Sequence, residues 1–188
     1  MAWTIDDAHT NVGFVARHMG LSKVRGVFTS FSGEVHGDSS DIGSVRGRVE
    51  VDMASVDTGN ADRDAHLKSA DFFDVDNHPS MIFEVKSVDP ERDGYKVRGD
   101  LTIKGTTKEV ELDYEHGGDS IDPFGNRKIG GSLTGTVNRR DWGLNWNVPL
   151  DTGGVLVSEK IKLEIDFQLA ESKADAQDSA EAEERLSA

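Results

Sequence analysis

The feature that most constrains this chain is its last apolar stretch. Val155, Val157, Ile161, Leu163, Ile165, Phe167 and Leu169 all stand at odd positions, with Ser158, Lys160, Lys162, Glu164, Asp166 and Gln168 between them. Only Leu156 and Glu159 break the alternation. Successive side chains of a strand point to opposite faces, so this pattern predicts a strand with one dry and one wet face. Strands of a parallel α/β sheet are covered on both faces and do not read this way.

The same period recurs upstream. Asn11 to Met19 carries Val12, Phe14 and Ala16 on one face. Val24 to Val35 carries Val24, Gly26 and Phe28 and then Phe31, Gly33 and Val35, and the change of phase between Phe28 and Phe31 predicts a bulge or bend. Val45 to Met53, Pro79 to Val88 (with Met81, Phe83 and Val85 in phase), Tyr95 to Ile103, Val110 to Tyr114 and Lys128 to Arg139 complete the set. Gly37 to Ser44, Asp89 to Gly94 and Gly117 to Asn126 read as loops, and Lys104 to Thr107 as a turn. Eight such strands with mostly hairpin-length connections predict an all-β, antiparallel up-and-down arrangement. Closing it into a barrel removes the exposed edges. An eight-stranded barrel is filled by its own side chains or holds one ligand. The small inward residues Ala16, Gly26 and Gly99 either leave room for that ligand or mark bends in the strands.

The alternation stops between Thr58 and Asp74. A Thr/Asn/Asp-rich entry leads into one short helix around residues 61–70, followed by the adjacent rings of Phe72 and Phe73. Asn60 or Asp62 suits the helix N-cap and Asp64 the positive end of the helix dipole. In a chain of strands, this segment reads as a plug or a pocket wall.

Composition excludes several functions. With 35 acids against 21 Lys and Arg, the net charge is -14, which repels nucleic acid and disfavours an anionic membrane surface. The acidity suits either ordinary solubility or a high-salt environment. The chain has no cysteine, so thiol catalysis and Cys-ligated zinc are out. The start, Met1-Ala2-Trp3-Thr4-Ile5-Asp6-Asp7, has neither a basic region nor an apolar one, so no secretory signal is read and a cytoplasmic location is expected. No apolar run is long enough for a transmembrane segment. No metal site, cofactor or nucleophile motif stands out: the pairs His36/Asp38 and Glu115/His116 read as solvated loops. Residues 170–188, rich in Ala, Ser, Glu and Asp, are expected to be a disordered acidic C-terminal tail behind a single domain at 1–169.

Several motifs in order resemble one known family. They are Trp3-x-Ile5-Asp6-x-x-His9-Thr10-x-Val12-x-Phe14, Val24-x-Gly26-x-Phe28-x-x-Phe31-x-Gly33, Arg63-Asp64-x-His66-Leu67 with Asp71-Phe72-Phe73-Asp74 and Pro79-x-x-x-Phe83, Gly99-x-Leu101-Thr102-x-x-Gly105-x-Thr107-Lys108, and Asn138-Arg139-x-Asp141-Trp142-Gly143-Leu144. Over about residues 3–169 the chain is similar to the YceI-like family. The resemblance implies an extended, lipocalin-like barrel that binds a long apolar lipid, a polyisoprenoid or an isoprenoid quinone, along its axis. Many family members are exported, and this sequence departs from them in showing no leader.

A polyprenyl chain offers almost no polar atoms, so its site needs a continuous apolar wall. The candidate channel residues are Val12, Phe14, Ala16, Phe28, Met53, Phe72, Phe73, Phe83, Val85, Leu101, Ile103, Trp142, Leu144, Ile161 and Leu163. Each of them also suits plain core packing. Arg63, His66, Asn138 and Arg139 are the candidates for a lipid head group, and helix capping or a hairpin clasp is the alternative use for them. Trp3, Trp142 and Trp146 either cover a ligand or close an end. Two other readings stay open: an enzyme using Arg63, Asp64 and His66 on a lipid-like substrate, and a ligand-free stress-response interaction module. The sequence leaves the oligomeric state open, with a homodimer among the readings.

Overall fold

In the computed structural model, which describes residues 1–172, the alternating segments pair into one antiparallel sheet. Its strands are β1 (Ala2–Ile5), β2 (Asn11–His18), β3 (Ser22–Phe28), β4 (Phe31–Asp38), β5 (Asp41–Asp52), β6 (Val56–Asp57), β7 (Ser80–Glu91), β8 (Gly94–Ile103), β9 (Thr106–Ile121), β10 (Arg127–Asn138) and β11 (Lys160–Glu171). The helix α1 spans Ala61–Lys68. β1 and β2 lie end to end along β11, with Ile5 opposite Leu169 and Val12 opposite Ile165, parted by a 3-10 turn at Asp7–His9. β3 and β4 likewise form one path bent at Thr29 and Ser30. Counted by path, eight strands close a barrel, with β1 bridging β4 and β11.

The expected bend between Phe28 and Phe31 is clasped by Ser55, whose hydroxyl oxygen accepts from the N–H groups of Thr29 and Ser30 at 3.1 Å each. The bend has a consequence for the wall. β3 turns away from β5 and pairs instead with two residues, Val27 with Asp57 and Phe28 with Val56. The excursion after β6 fills the seam: Leu67, Phe73 and Val75 pack against the core.

Three expected loops are shorter than read. β4 and β5 pair as far as Asp38 opposite Asp41, β7 and β8 as far as Glu91 opposite Gly94, and β9 and β10 as far as Ile121 opposite Arg127. At these ends both faces of the hairpins meet water, so the apolar alternation fades while the backbone ladder continues. Conversely, Val155 to Glu159 is not part of the last strand, which starts at Lys160. Val157 makes an isolated bridge to His18, and Asn147 bonds to both the N–H and the C=O of Val157. β11 runs to Glu171, two residues past the expected domain end, and Ser172 N–H still reaches Ala2 O at 2.9 Å. The rest of the expected tail, 173–188, lies outside the described residues.

Gly26 and Gly99 do face inward, but neither opens space for a ligand. The Phe14 ring lies across Gly26, its register partner, where an added Cβ would sit 2.3 Å from the ring tip. The Phe83 ring lies across Gly99, and there an added Cβ would also come 2.5 Å from the Glu84 carbonyl oxygen. Backbone cannot yield as a ring can. Gly99→Ala is therefore expected to lower stability by about 1–3 kcal/mol in urea unfolding. A loss below about 0.5 kcal/mol would show that the β7–β8 wall is softer than its packing.

Candidate ligand channel

The barrel has two unlike ends. One carries the short β4–β5, β7–β8 and β9–β10 turns. The other carries two long excursions, residues 53–79 and 139–159. Between them run two apolar cavities of about 160 and 220 Å³. Val12, Val49, Phe83, Leu133 and Ile165 line both, so the cavities meet at a common waist. Strand register makes that waist. Val12, Ile165 and Leu133 lie side by side across β2, β11 and β10, and Val49 sits opposite Phe83 on β5 and β7.

The cavity at the excursion end takes its wall from Phe14, Ala16, Phe28, Leu101, Ile103, Ile161 and Leu163 on strands. Phe72, Phe73, Trp142 and Leu144 from the two excursions close it. Val85 lines the other cavity. All the candidate channel residues but one thus border these spaces. Met53 does not: it is fully buried in the core cluster, in a 3-10 turn at Met53–Ser55 that ends β5. Trp142 is an anchor, 2% exposed, with its indole N–H donating to Leu101 O at 2.9 Å. Trp3, equally buried, lines the turn-end cavity and donates to Gly37 O.

The four polar candidates fall in three places. Arg139 alone is buried, 5% exposed, and borders the excursion-end cavity. Its guanidinium donates to the carbonyls of Leu144 (2.6 Å), Ser158 (2.9 Å) and Val157 (3.4 Å) and stands 5.9 Å from the Phe72 ring centre. Burial holds its pKa below the usual arginine value, and among the described residues no carboxylate comes within ion-pair distance. The neighbouring Asn138 is turned to capping, its side-chain oxygen accepting from Arg140 N–H at 3.0 Å.

Arg63 and His66 lie outside the barrel in a side cleft between α1 and the β2–β3 hairpin. Asn60 is the N-cap, accepting from Arg63 N–H at 3.0 Å. Arg63 donates to the hydroxyl (2.7 Å) and carbonyl (2.8 Å) of Thr58, while Asp64 accepts from the Thr58 N–H (2.9 Å) and hydroxyl (2.6 Å). His66 pairs with Asp71 at 2.9 Å and sits edge-on to Phe72 and Trp146. Phe14, Ala16, Leu67, Phe72 and Val157 line both the cleft and the excursion-end cavity, so the two adjoin.

The turn-end cavity adds lining residues beyond the candidate channel set, among them Phe167, Leu169 and Tyr114. Phe167 and Leu169 continue the odd face of β11, so the parity that marks Ile161 and Leu163 finds them too. Polar groups at its rim form a chain. The Tyr114 hydroxyl bonds His116 Nδ1 at 2.7 Å, and His116 Nε2 and Arg127 both reach Asp119, at 3.3 and 3.0 Å. Burial pushes the Tyr114 phenol up to about 12. The folded state thus favours neutral Tyr114. That contribution is full below the unfolded value near pH 10 and is lost as pH rises toward 12, amounting to about 3 kcal/mol. Tyr114→Phe is expected to flatten the fall in unfolding free energy between pH 10 and 12. An unchanged alkaline slope would place the phenol in water.

Comparison with known proteins gives the chain its relatives. A family model described as the YceI-like domain matches residues 3–169. A UPF0312 protein of Staphylococcus aureus strain N315 is 40% identical over 172 residues, covering 91% of this chain and 98% of that one. The crystal structure of the Campylobacter jejuni YCEI protein superposes with a TM-score of 0.73 at 31% identity, over 84% of this chain and 90% of that chain. A polyisoprenoid binding domain from Saccharophagus degradans shares the fold at 14% identity, with a TM-score of 0.63 over 89% and 97% of the two chains.

Proposed function

The chain belongs to the family of YceI-like domains, and we propose that it binds one long-chain apolar lipid, a polyisoprenoid or isoprenoid quinone, inside the barrel. Its role is then to carry, store or sequester that lipid. The observation that carries this reading is the pair of apolar cavities meeting at the Val12–Ile165–Leu133 waist. A fold neighbour described as polyisoprenoid-binding supports it. Energetics set a minimum chain length. Each buried CH2 contributes about 0.8 kcal/mol, and association costs about 4–15 kcal/mol. Roughly twenty buried carbons are therefore needed for useful affinity. The 12-residue β5 runs about 40 Å along its length, or about 30 Å along a tilted barrel's axis, which accommodates such a chain.

Arg139 is the best head-group residue. It borders the cavity, carries a charge with no carboxylate partner among the described residues, and suits a carbonyl or anionic oxygen. Arg63 and His66 would meet a head group only at the side cleft, and Asn138 acts through the turn that holds Arg139. A binder is favoured over an enzyme because Arg63 and Asp64 spend their polar atoms on Thr58, holding the excursion closed.

The test is thermal. An isoprenoid quinone with a long prenyl tail, at about 100 times its Kd, is expected to raise Tm by about 5–11 °C, with no shift from the same ring without its tail. Equal shifts from both, or none from the tailed quinone, would sink the reading.

A further inference from the structure

The charge of this chain is unevenly placed. No Asp or Glu occurs between Asp7 and Glu34, although the whole sequence carries 35. That stretch contains β2, β3 and the hairpin joining them, with Arg17, His18, Lys23 and Arg25 all exposed. Arg25 pairs with Glu164 at 2.8 Å. Among the described residues, Arg17 and Lys23 have no carboxylate within ion-pair distance. The tip between them presents Leu21, 81% exposed, and Met19, 41% exposed. Met19 N–H bonds Leu156 O, and Leu156 N–H bonds Val148 O, which brings the exposed Val148 and Val155 alongside. The described acids around this face are Glu164, paired with Arg25 and Lys162, Asp57 opposite Val27, Asp62 on the cleft wall, Asp151 in the turn beside Val155, and Glu159, paired with Arg140 and next to the Ser158 that bonds the Arg17 backbone.

The opposite end is built otherwise. Phe124, 88% exposed, and Ile121, 72% exposed, tip the β9–β10 hairpin, but Asp122 lies between them and Asp119, paired with Arg127, stands beside them.

We propose that the β2–β3 hairpin docks this protein on an anionic lipid membrane, its cations against the head groups and Leu21 and Met19 in the interface. Charge complementarity chooses the occupant, and the apolar tip favours a bilayer over an acidic protein. The place has a purpose if the barrel holds a lipid, the reading on which this inference rests. Arg17, His18, Ser22 and Val24 line the side cleft, which shares Phe14, Ala16, Leu67, Phe72 and Val157 with the excursion-end cavity. Docking there sets the cleft mouth on the membrane, with Phe72 and Trp146 between lipid and barrel. The net charge of -14 opposes approach at long range, but screening confines that repulsion to about 10 Å at 0.1 M salt.

The experiment uses the absence of native cysteine. The full chain carrying Leu21→Cys or Phe124→Cys, labelled with a polarity-sensitive fluorophore, is mixed with vesicles of 30% phosphatidylglycerol in phosphatidylcholine, or of phosphatidylcholine alone, at 0.1 M salt. The Leu21→Cys label is expected to shift to the blue with anionic vesicles only, and the Phe124→Cys label to stay put. Adding Arg17→Gln and Lys23→Gln to Leu21→Cys is expected to weaken binding about 25-fold, about fivefold per cation, with Tm unchanged. No shift at Leu21→Cys, a shift at Phe124→Cys instead, or equal binding by the charge variant would overturn the proposal. So would binding to polyglutamate in place of vesicles. None of these readouts needs a lipid inside the barrel, so vesicle docking and interior binding fail separately.

Discussion

Replacing Arg139 with methionine is expected to cost about 3–5 kcal/mol of folding stability, an unusually large loss for one residue. Methionine has nearly the volume of the arginine stem, so the cost is not a void. It comes from the carbonyls of Leu144 and Ser158, which the guanidinium now serves and which would be left in an apolar surround, while the Val157 carbonyl keeps the bond it accepts from the Asn147 amide. Each buried unpaired acceptor costs about 1–3 kcal/mol, and the contact with the Phe72 ring goes as well. Arg139→Lys is expected to recover less than half of the loss, because a single ammonium cannot fork to carbonyls on both sides of the excursion. Urea unfolding of the three proteins reads the effect. A loss below 1 kcal/mol for methionine would mean that water reaches these carbonyls and that the excursion end is wet.

Ile165→Trp is expected to lower the content of long-chain lipid at least tenfold while leaving the fold intact. Ile165 stands between Val12 and Leu133 at the waist and faces the Val49–Phe83 side of the barrel. An indole there fills the junction of the two cavities. A chain confined to one side gives up on the order of ten buried CH2 groups at about 0.8 kcal/mol each, far more than tenfold in affinity. Overpacking costs about 1–3 kcal/mol of stability, which the fold can absorb. A ten-carbon prenyl alcohol is expected to bind the variant and the parent alike. Reconstitution followed by extraction and mass spectrometry measures both. Unchanged long-chain content would confine the ligand to a single cavity and remove the waist from the account.

What the sequence reveals follows from where each signal is local. The odd-position face of β11 is legible because it packs on the interior for the strand's whole length. The hairpin ends are not, because both faces meet water and the period vanishes while the ladder goes on. Asn60 is legible as a cap, since a cap and its amide lie three residues apart. The use of Arg63 and Asp64 is not, for it depends on Thr58 folding back against the helix. Arg139 stands out in sequence only as a charge at a strand end. Its burial appears once residues 144, 157 and 158 return to it through the second excursion. Gly26 and Gly99 show the same limit. Parity places them inside, but register decides that rings of neighbouring strands take the space. The turn-end cavity was within reach, since Phe167, Leu169 and Tyr114 continue faces already marked by period.

The acidic surface has a plain physical use on the outer face of the strands. Arg48 with Glu84, Lys86 with Asp100 and Arg98 with Glu111 pair across neighbouring strands at 2.7–2.9 Å. Exposed pairs of this kind contribute about 0–1 kcal/mol each and weaken in salt. They follow a register that the apolar inner face and the hairpin turns set.

Whether the barrel interior holds a lipid is read by native mass spectrometry of the protein purified without detergent from its own source. A filled barrel shows a stoichiometric adduct that leaves on activation and is found, by extraction, to be an isoprenoid-type lipid of about twenty carbons or more. A bare polypeptide mass that stays bare after incubation with long-chain isoprenoid quinone would contradict a lipid-binding interior.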